Sequence, residues 1–208
     1  MIHNVIFDLG NVLLDFKPLQ YLSQKYGSKE IIESLYKNVF CSNEWVELDR
    51  GTLTLEQAID SMSARNPEIE PYVKELMYNL DRILIPITGT VKLLEELKAS
   101  NKYKLYLLSN FHLDAFLKVS SKYSFFKLFD GMVVSSYIKV LKPEPKIFEH
   151  LMSVYYLSPS ESVFIDDVME NLEAAHKLGI ETIHFTTPDI LRKELGSKGI
   201  LMDYIRGI

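Results

Sequence analysis

Four stretches of this chain set a reactive side chain directly after, or beside, an apolar run. Val5-Ile6-Phe7 is followed by Asp8 and then by Leu9-Gly10-Asn11-Val12. Leu105-Tyr106-Leu107-Leu108 gives way to Ser109-Asn110, and Val163-Phe164-Ile165 to the acid pair Asp166-Asp167. Leu141-Lys142-Pro143-Glu144-Pro145 puts a lysine just before a helix start. Apolar runs without alternation read as parallel strands buried on both faces, and the carboxyl ends of such strands open into the ligand crevice of an α/β sheet. An aspartate at that end, with a glycine two residues on that lets backbone approach a ligand closely, suggests a nucleophile or a metal ligand. The plainer alternative is an Asp that caps a turn. Together, a nucleophilic carboxylate, a hydroxyl donor, a fixed cation and an acidic pair suit phosphoryl transfer. The carboxylates would hold Mg²⁺, a hard ion that prefers oxygen ligands. Metal and Lys142 would neutralise phosphoryl oxygens, and Ser109 would donate a hydrogen bond to one of them.

The elements that must position these groups follow from the pattern. After Leu14 the periodicity turns helical and stays so for about seventy residues. A short helix over Pro18 to Tyr26 closes at Gly27, Ser28 can cap the next, and Trp45 to Leu48 reads as a further turn broken at Arg50-Gly51. Thr54-Leu55-Glu56-Gln57 has the form of a capping box opening a helix to about Ala64, and Pro67 to Leu80 follows. Pro86 and Gly89 mark a return to alternation. From there, helices over Thr90 to Ala99, Leu113 to Lys122, Pro145 to Tyr156, Met169 to Leu178 and Ile190 to Leu195 interleave with strands. Those strands are expected over Tyr103 to Leu108, Met132 to Ser135, Val163 to Ile165 and Thr182 to Phe185. Such repetition means an α/β fold, a parallel sheet covered on both faces. Residues 1–14 and 86–208 would form that core and residues 15–85 an inserted all-helical cap.

Composition narrows the rest. The 208 residues suffice for one α/β domain with a small insertion, and 47% hydrophobic with 25% charged is ordinary globular composition. A net charge of -5 argues against a general nucleic-acid binder. The single cysteine, Cys41, excludes an internal disulfide framework and fits a reducing cytoplasm. His3, His112, His150, His176 and His184 lack ligand-like spacing, so zinc is not expected. No apolar run is long enough to span a bilayer, and the amino terminus enters a strand rather than a signal peptide. A cytoplasmic protein with no membrane partner is the expectation.

Phe7-Asp8-Leu9-Gly10-Asn11-Val12, Leu107-Leu108-Ser109-Asn110, Leu141-Lys142-Pro143-Glu144-Pro145 and Phe164-Ile165-Asp166-Asp167 resemble, in order, the four motifs of the haloacid dehalogenase-like superfamily. Asn171-Leu172-Glu173-Ala174-Ala175 and Leu178-Gly179 fit the helix that follows the last motif. The resemblance covers almost the whole chain and implies a Rossmann-like sheet with a helical cap between the first and second motifs. It implies that Asp8 attacks a phosphoryl group to give an aspartyl-phosphate that water hydrolyses. Mg²⁺ would be held by an Asp8 oxygen, the Gly10 carbonyl and Asp167, with Asp166 direct or through water. Lys142 would pair with Asp8 and phosphate, and Asn110 would bond substrate or orient Asp8.

One position departs from the family's commoner pattern: two residues after the nucleophile, where most of its phosphatases carry an Asp as general acid and base, stands Gly10. Haloacid dehalogenases lack that Asp too, but the pair Asp166-Asp167 argues for a metal that dehalogenation does not need. The Leu9-Gly10-Asn11-Val12 form is similar to that of sugar-phosphate phosphatases, notably bacterial glucose-1-phosphate phosphatases. A Mg²⁺-dependent phosphatase for a small phosphorylated metabolite is therefore expected. A dehalogenase, a phosphomutase and a non-catalytic regulatory protein are the alternatives. Asp15 is the nearest acid in sequence to replace the missing one. In Leu48-Asp49-Arg50-Gly51-Thr52-Leu53, similar to the segment that closes over the site in capped relatives, Arg50 would meet substrate, a domain-interface carboxylate or solvent. Tyr21, Tyr36, Phe40 and Trp45 recur at cap-core spacings and read as packing rather than a sugar platform.

Overall fold

Strands that are apolar on both faces need cover on both, and the chain supplies it. In the computed structural model, which describes residues 1–201, five parallel strands form one sheet in the order β5-β4-β1-β6-β7. These are β1 (Asn4–Phe7), β4 (Lys104–Ser109), β5 (Gly131–Val134), β6 (Ser162–Asp166) and β7 (Glu181–His184). A second, two-stranded antiparallel ribbon joins β2 (Leu14–Asp15) to β3 (Ile85–Pro86). Along β1 the side chains divide: Val5 and Phe7 enter one apolar cluster, Ile6 the other. This is the period-2 alternation of a strand with both faces buried.

The helices between β2 and β3 are α1 (Pro18–Lys25), α2 (Lys29–Leu35), α3 (Asn43–Arg50), α4 (Leu55–Arg65) and α5 (Glu70–Tyr78), with a π-helical turn at Tyr36–Phe40. Their starts have the caps expected from the sequence. Ser28 Oγ accepts from Ile31 N, and Thr54 and Gln57 complete a reciprocal capping box at α4. Pro67 to Leu80 divides into a 3₁₀ turn at Pro67–Ile69 and α5, with Pro71 in the first turn, where its missing N–H costs no helical bond. Trp45 to Leu48 lies inside a full helix, α3, capped by Ser42 and ended by Gly51 at φ 78. The ribbon pairs Leu14 with Pro86 and Asp15 with Ile85, so the two ends of the helical block leave the sheet side by side.

Beyond β3 run α6 (Thr88–Ala99), α7 (Leu113–Lys122), α8 (Ser135–Ile138), α9 (Pro145–Val154), α10 (Met169–Lys177) and α11 (Pro188–Ser197). Each expected helix and strand of this half is present, with ends shifted by a few residues. The short α8, directly after β5, replaces the expected strand end at Ser135. The last residues of the expected core, 202–208, lie outside the described residues.

Candidate active site

The strand order puts β1 at the centre, with β4 and β6 as its neighbours. Chain connections diverge on either side of it, the topological switch point where α/β sheets place their crevice. Register does the rest. Phe7 pairs with Leu107 and with Ile165, so Asp8, Ser109 and Asp166 leave three adjacent strands at nearly the same level. Asp8 N donates to Ile165 O at 2.9 Å, holding the residue after β1 against β6.

Lys142 reaches this edge from the loop before α9. Its Nζ donates to Asp8 Oδ1 at 2.7 Å and to Asp166 Oδ2 at 2.6 Å, with almost none of the three side chains exposed. Burial alone would pull the Lys142 ammonium down, but the Asp8 and Asp166 carboxylates outweigh it and hold its pKa above the ordinary value. Burial pushes the Asp8 carboxyl up to about 7, against the pull of Lys142 and with help from Asp166 and Asp167. Asp167 is also raised, by burial and then by Asp166, while a hydrogen bond from Asn11 opposes the shift.

Carboxylate oxygens of Asp8, Asp166 and Asp167 lie within 4.8 Å of one another. Oxygen-only donors at this spacing fit a hard divalent cation, and the upward shifts of Asp8 and Asp167 have the sign that such a cation would reverse. The three acids are not equivalent. Asp166 already accepts from Lys142, from Val168 N at 2.8 Å and from Asn171 Nδ2 at 3.1 Å. Asp167 is more exposed, and Asn11 Nδ2 donates to its Oδ2 at 3.2 Å.

Asn110 is half-buried and turned to Lys142 rather than to Asp8. Its amide clamps the Lys142 backbone from both sides, Nδ2 to Lys142 O at 2.9 Å and Lys142 N to Oδ1 at 2.8 Å. Ser109 Oγ, 1% exposed as a residue, has no hydrogen-bond partner among the described residues. A buried hydroxyl costs stability unless something pairs with it, so this one fits an oxygen-rich ligand. Arg50 lies at the seam with the helical block, where its Nη1 meets Glu144 Oε1 at 2.7 Å. Asp15 is turned to Lys17 Nζ at 2.9 Å and is partly solvated. Trp45 packs on Phe16 and Phe40, in keeping with a packing role.

Four further residues were not given roles by sequence. Asn11 sits at φ 53, a left-handed position that Asn tolerates, and its side chain also accepts from Phe16 N. Asn171, in the first turn of α10, holds Asp166. Glu144 takes Arg50. Asp49, on the last turn of α3, has the Trp45 side chain and the His112 backbone beside its carboxyl, both favouring the charged form. The first three stand inside the motif stretches; for Asp49 the signal was an acid just ahead of a helix-ending Gly, four residues after a Trp.

A doubly wound parallel sheet, with a lysine bridging an acid from its central strand to an acid from the next, defines a class of α/β hydrolytic enzyme. The family model for haloacid dehalogenase-like hydrolases matches residues 5–185, and the chain belongs to that family. It is 24% identical over 181 residues to a sesquiterpene phosphatase of Aspergillus oryzae, covering 87% of this chain and 88% of the relative. It is 25% identical over 221 residues to a D-ribitol-5-phosphate phosphatase of Bacteroides thetaiotaomicron, covering 94% of this chain and 97% of the relative. Two other curated relatives are longer proteins, spanned over only 18% and 36% of their length. Among solved structures, a wild-type enzyme of this family from Bacteroides thetaiotaomicron, in complex with magnesium and inorganic phosphate, superposes with TM-score 0.71. That match has 26% identity and covers 90% of this chain and 96% of the other. The chain is thus a hydrolase with phosphatase relatives. Among the described residues no helix is long and apolar enough to cross a membrane.

Proposed function

We propose that this hydrolase is a Mg²⁺-dependent phosphomonoesterase for a small metabolite, sugar phosphates included, working through an aspartyl-phosphate. One observation carries the reading: Lys142 bridges Asp8 and Asp166 in a buried edge of the sheet, with Asp167 beside them. An Asp8 oxygen attacks phosphorus, and the bond from phosphorus to the departing oxygen breaks. Water then attacks the same phosphorus and frees Asp8. Lys142 offsets charge on the phosphoryl oxygens, and the Ser109 hydroxyl donates to one of them. Asn110 keeps Lys142 in register by clamping its backbone. Asp8, Asp167 and the Gly10 carbonyl would hold the metal, with Asp166, whose oxygens Lys142, Val168 and Asn171 already use, contributing through water. Bound there, the ion supplies charge neutralisation for the phosphoryl group.

Residues 15–85 serve as a cap over this edge and the rest as the core, a division supported by the ribbon that brings both connections together. Two phosphatase relatives that align over most of their length support the substrate class. Turnover of p-nitrophenyl phosphate with Mg²⁺, and its loss in EDTA, is the expected result. Full activity after exhaustive chelation would refute the metal, and no turnover in a phosphate-release screen of phosphorylated metabolites would refute the activity.

A further inference from the structure

The reaction just described leaves one part unfilled. A departing alkoxide needs a proton and the attacking water must lose one, but Gly10 has no side chain and Asp15 is engaged with Lys17. Asp49 comes from the helical block, where α3 meets the core at Ser135. It stands four residues after Trp45 on α3, so both side chains share one helix face. Trp45 packs on the His112 ring with centroids 5.0 Å apart, and the Trp45 side chain and His112 backbone favour the charged form of the Asp49 carboxyl, which sets it beside the loop that follows Ser109.

Three neighbouring contacts pin this segment to the core. Ser135 Oγ bonds the Asp49 carbonyl, Arg50 pairs with Glu144, and a Cβ at Gly51 would collide with the Ser136 carbonyl oxygen. The close approach at Gly51 leaves little freedom for the turn that carries Asp49. In that position the charges of Asp8 and Lys142 act on the carboxyl in opposite senses, the first raising its pKa and the second lowering it.

We propose that the carboxyl of Asp49 is the general acid and base of this reaction, delivered by the helical block in place of a side chain at position 10. The inference rests on the phosphatase reading above. In the first step the bond from phosphorus to the leaving oxygen breaks as an Asp8 oxygen bonds to phosphorus, and Asp49 gives its proton to the leaving oxygen. In the second, the Asp49 carboxylate takes a proton from water as the water oxygen attacks phosphorus. The bond to Asp8 breaks, inorganic phosphate leaves, and Asp49 is again protonated.

Burial pushes the Asp49 carboxyl up to about 7, opposed by the His112 and Trp45 hydrogen bonds, with Asp8 raising it further and Lys142 lowering it. His112 is held neutral, since burial and then Lys118 bring its imidazole down to about 4. Of the other charges nearby, Arg50 and Glu144 are paired with each other. A carboxyl with a pKa near 7 carries its proton near neutrality and can also release it, which both steps require.

The test uses single-turnover and steady-state rates of the full chain with Mg²⁺ on substituted phenyl phosphates, from p-nitrophenyl to p-methoxyphenyl. Asp49→Asn keeps an oxygen to accept from Trp45 and His112, and its folding is checked by circular dichroism. The loss in its first step should grow along the series, from a few-fold to about 10²–10³-fold for the poorest leaving group. With p-nitrophenyl phosphate it should show a burst of nitrophenol followed by slow turnover, because water attack lacks its base. A Cβ at position 10 would have open space around it, so Gly10→Asp in the Asp49→Asn background should flatten the dependence again. A loss equal for all leaving groups, with no burst, would overturn the proposal and leave Asp49 a packing residue; so would no loss. Undiminished turnover in a parallel Asp8→Asn variant would instead bring down the phosphatase reading itself.

Discussion

At the sheet edge, Lys142, Asp8 and Asp166 form an ion network whose side chains are 2%, 9% and 0% exposed. At the seam with the helical block, Arg50 and Glu144 form a pair at the same short distance but 30% and 41% exposed. The two differ in what their burial commits. Charges taken out of water must keep their partners, since removing one leaves the others uncompensated in a poorly polarisable interior. A half-solvated pair can lose a partner to water at little cost. The edge is thus fixed by its electrostatics and the seam by its sterics, through Gly51 against Ser136 and apolar packing continuous with one face of the sheet.

The most drastic way to break the edge is Asp8→Asn. An amide cannot form the acyl phosphate, so turnover should vanish. The fold should survive, because Asp166 still satisfies Lys142. Beryllium fluoride, an aspartyl-phosphate mimic, should inhibit the wild type. Retained turnover in the variant would sink the nucleophile.

The next largest effect separates the acids. Asp167→Ala should raise the Mg²⁺ requirement steeply while changing stability little, since its side chain is held by the exposed Asn11. Asp166→Ala should shift the metal requirement by an equal or smaller margin but lose stability, because it strands Val168 N and Asn171 and leaves Lys142 with Asp8 alone. Lys142→Ala should lose activity without a comparable metal shift and cost about 3–5 kcal/mol in urea unfolding. Equal stability losses for Asp166 and Asp167 would mean that the edge is not partitioned in this way.

At the seam the sensitive position is Gly51, where φ 78 and the Ser136 backbone leave no room for a methyl. Gly51→Ala should destabilise by more than the ~1 kcal/mol ordinary for glycine-to-alanine strain at positive φ, because backbone on both sides must move. It should also lower kcat, since the turn it displaces carries Asp49. Unchanged unfolding and rate in Gly51→Ala would show that the seam is loose.

This contrast also explains what the sequence revealed. Strand-end residues were legible because a short apolar run has one carboxyl end and the sheet gathers those ends into one line: Asp8, Ser109 and Asp166 needed no packing detail. Lys142 was legible as a lysine between Leu141 and a proline-started helix. What the sequence could not place depended on how a helical block lies on a sheet. Arg50 faces Glu144 across 94 residues of chain, and Asp49 meets His112 only because α3 docks on α8. The turn expected at Trp45 to Leu48 became a helix for a related reason. Ser42 caps it, and Leu48 is buried in the cluster shared with the sheet, a tertiary contribution that local pattern does not contain.

The smallest effect comes from the seam's ion pair, and it sharpens the comparison most. Arg50→Ala removes a pair that is partly in water, so its stability cost should stay within about 1 kcal/mol. If the guanidinium works only through Glu144, then Glu144→Gln should reproduce whatever activity Arg50→Ala loses. The double variant should lose no more than either, because both changes delete one interaction. The expected loss is a few-fold in kcat/KM, equal for p-nitrophenyl phosphate and for bulkier phosphorylated metabolites, since a looser seam affects closure whatever the substrate. A different pattern would place Arg50 on the substrate: a loss confined to the bulkier phosphates, raised KM, and no matching effect in Glu144→Gln. Kinetics of the two single variants and the double on both substrate types decide between a guanidinium that holds the block to the sheet and one that reads what lies between them.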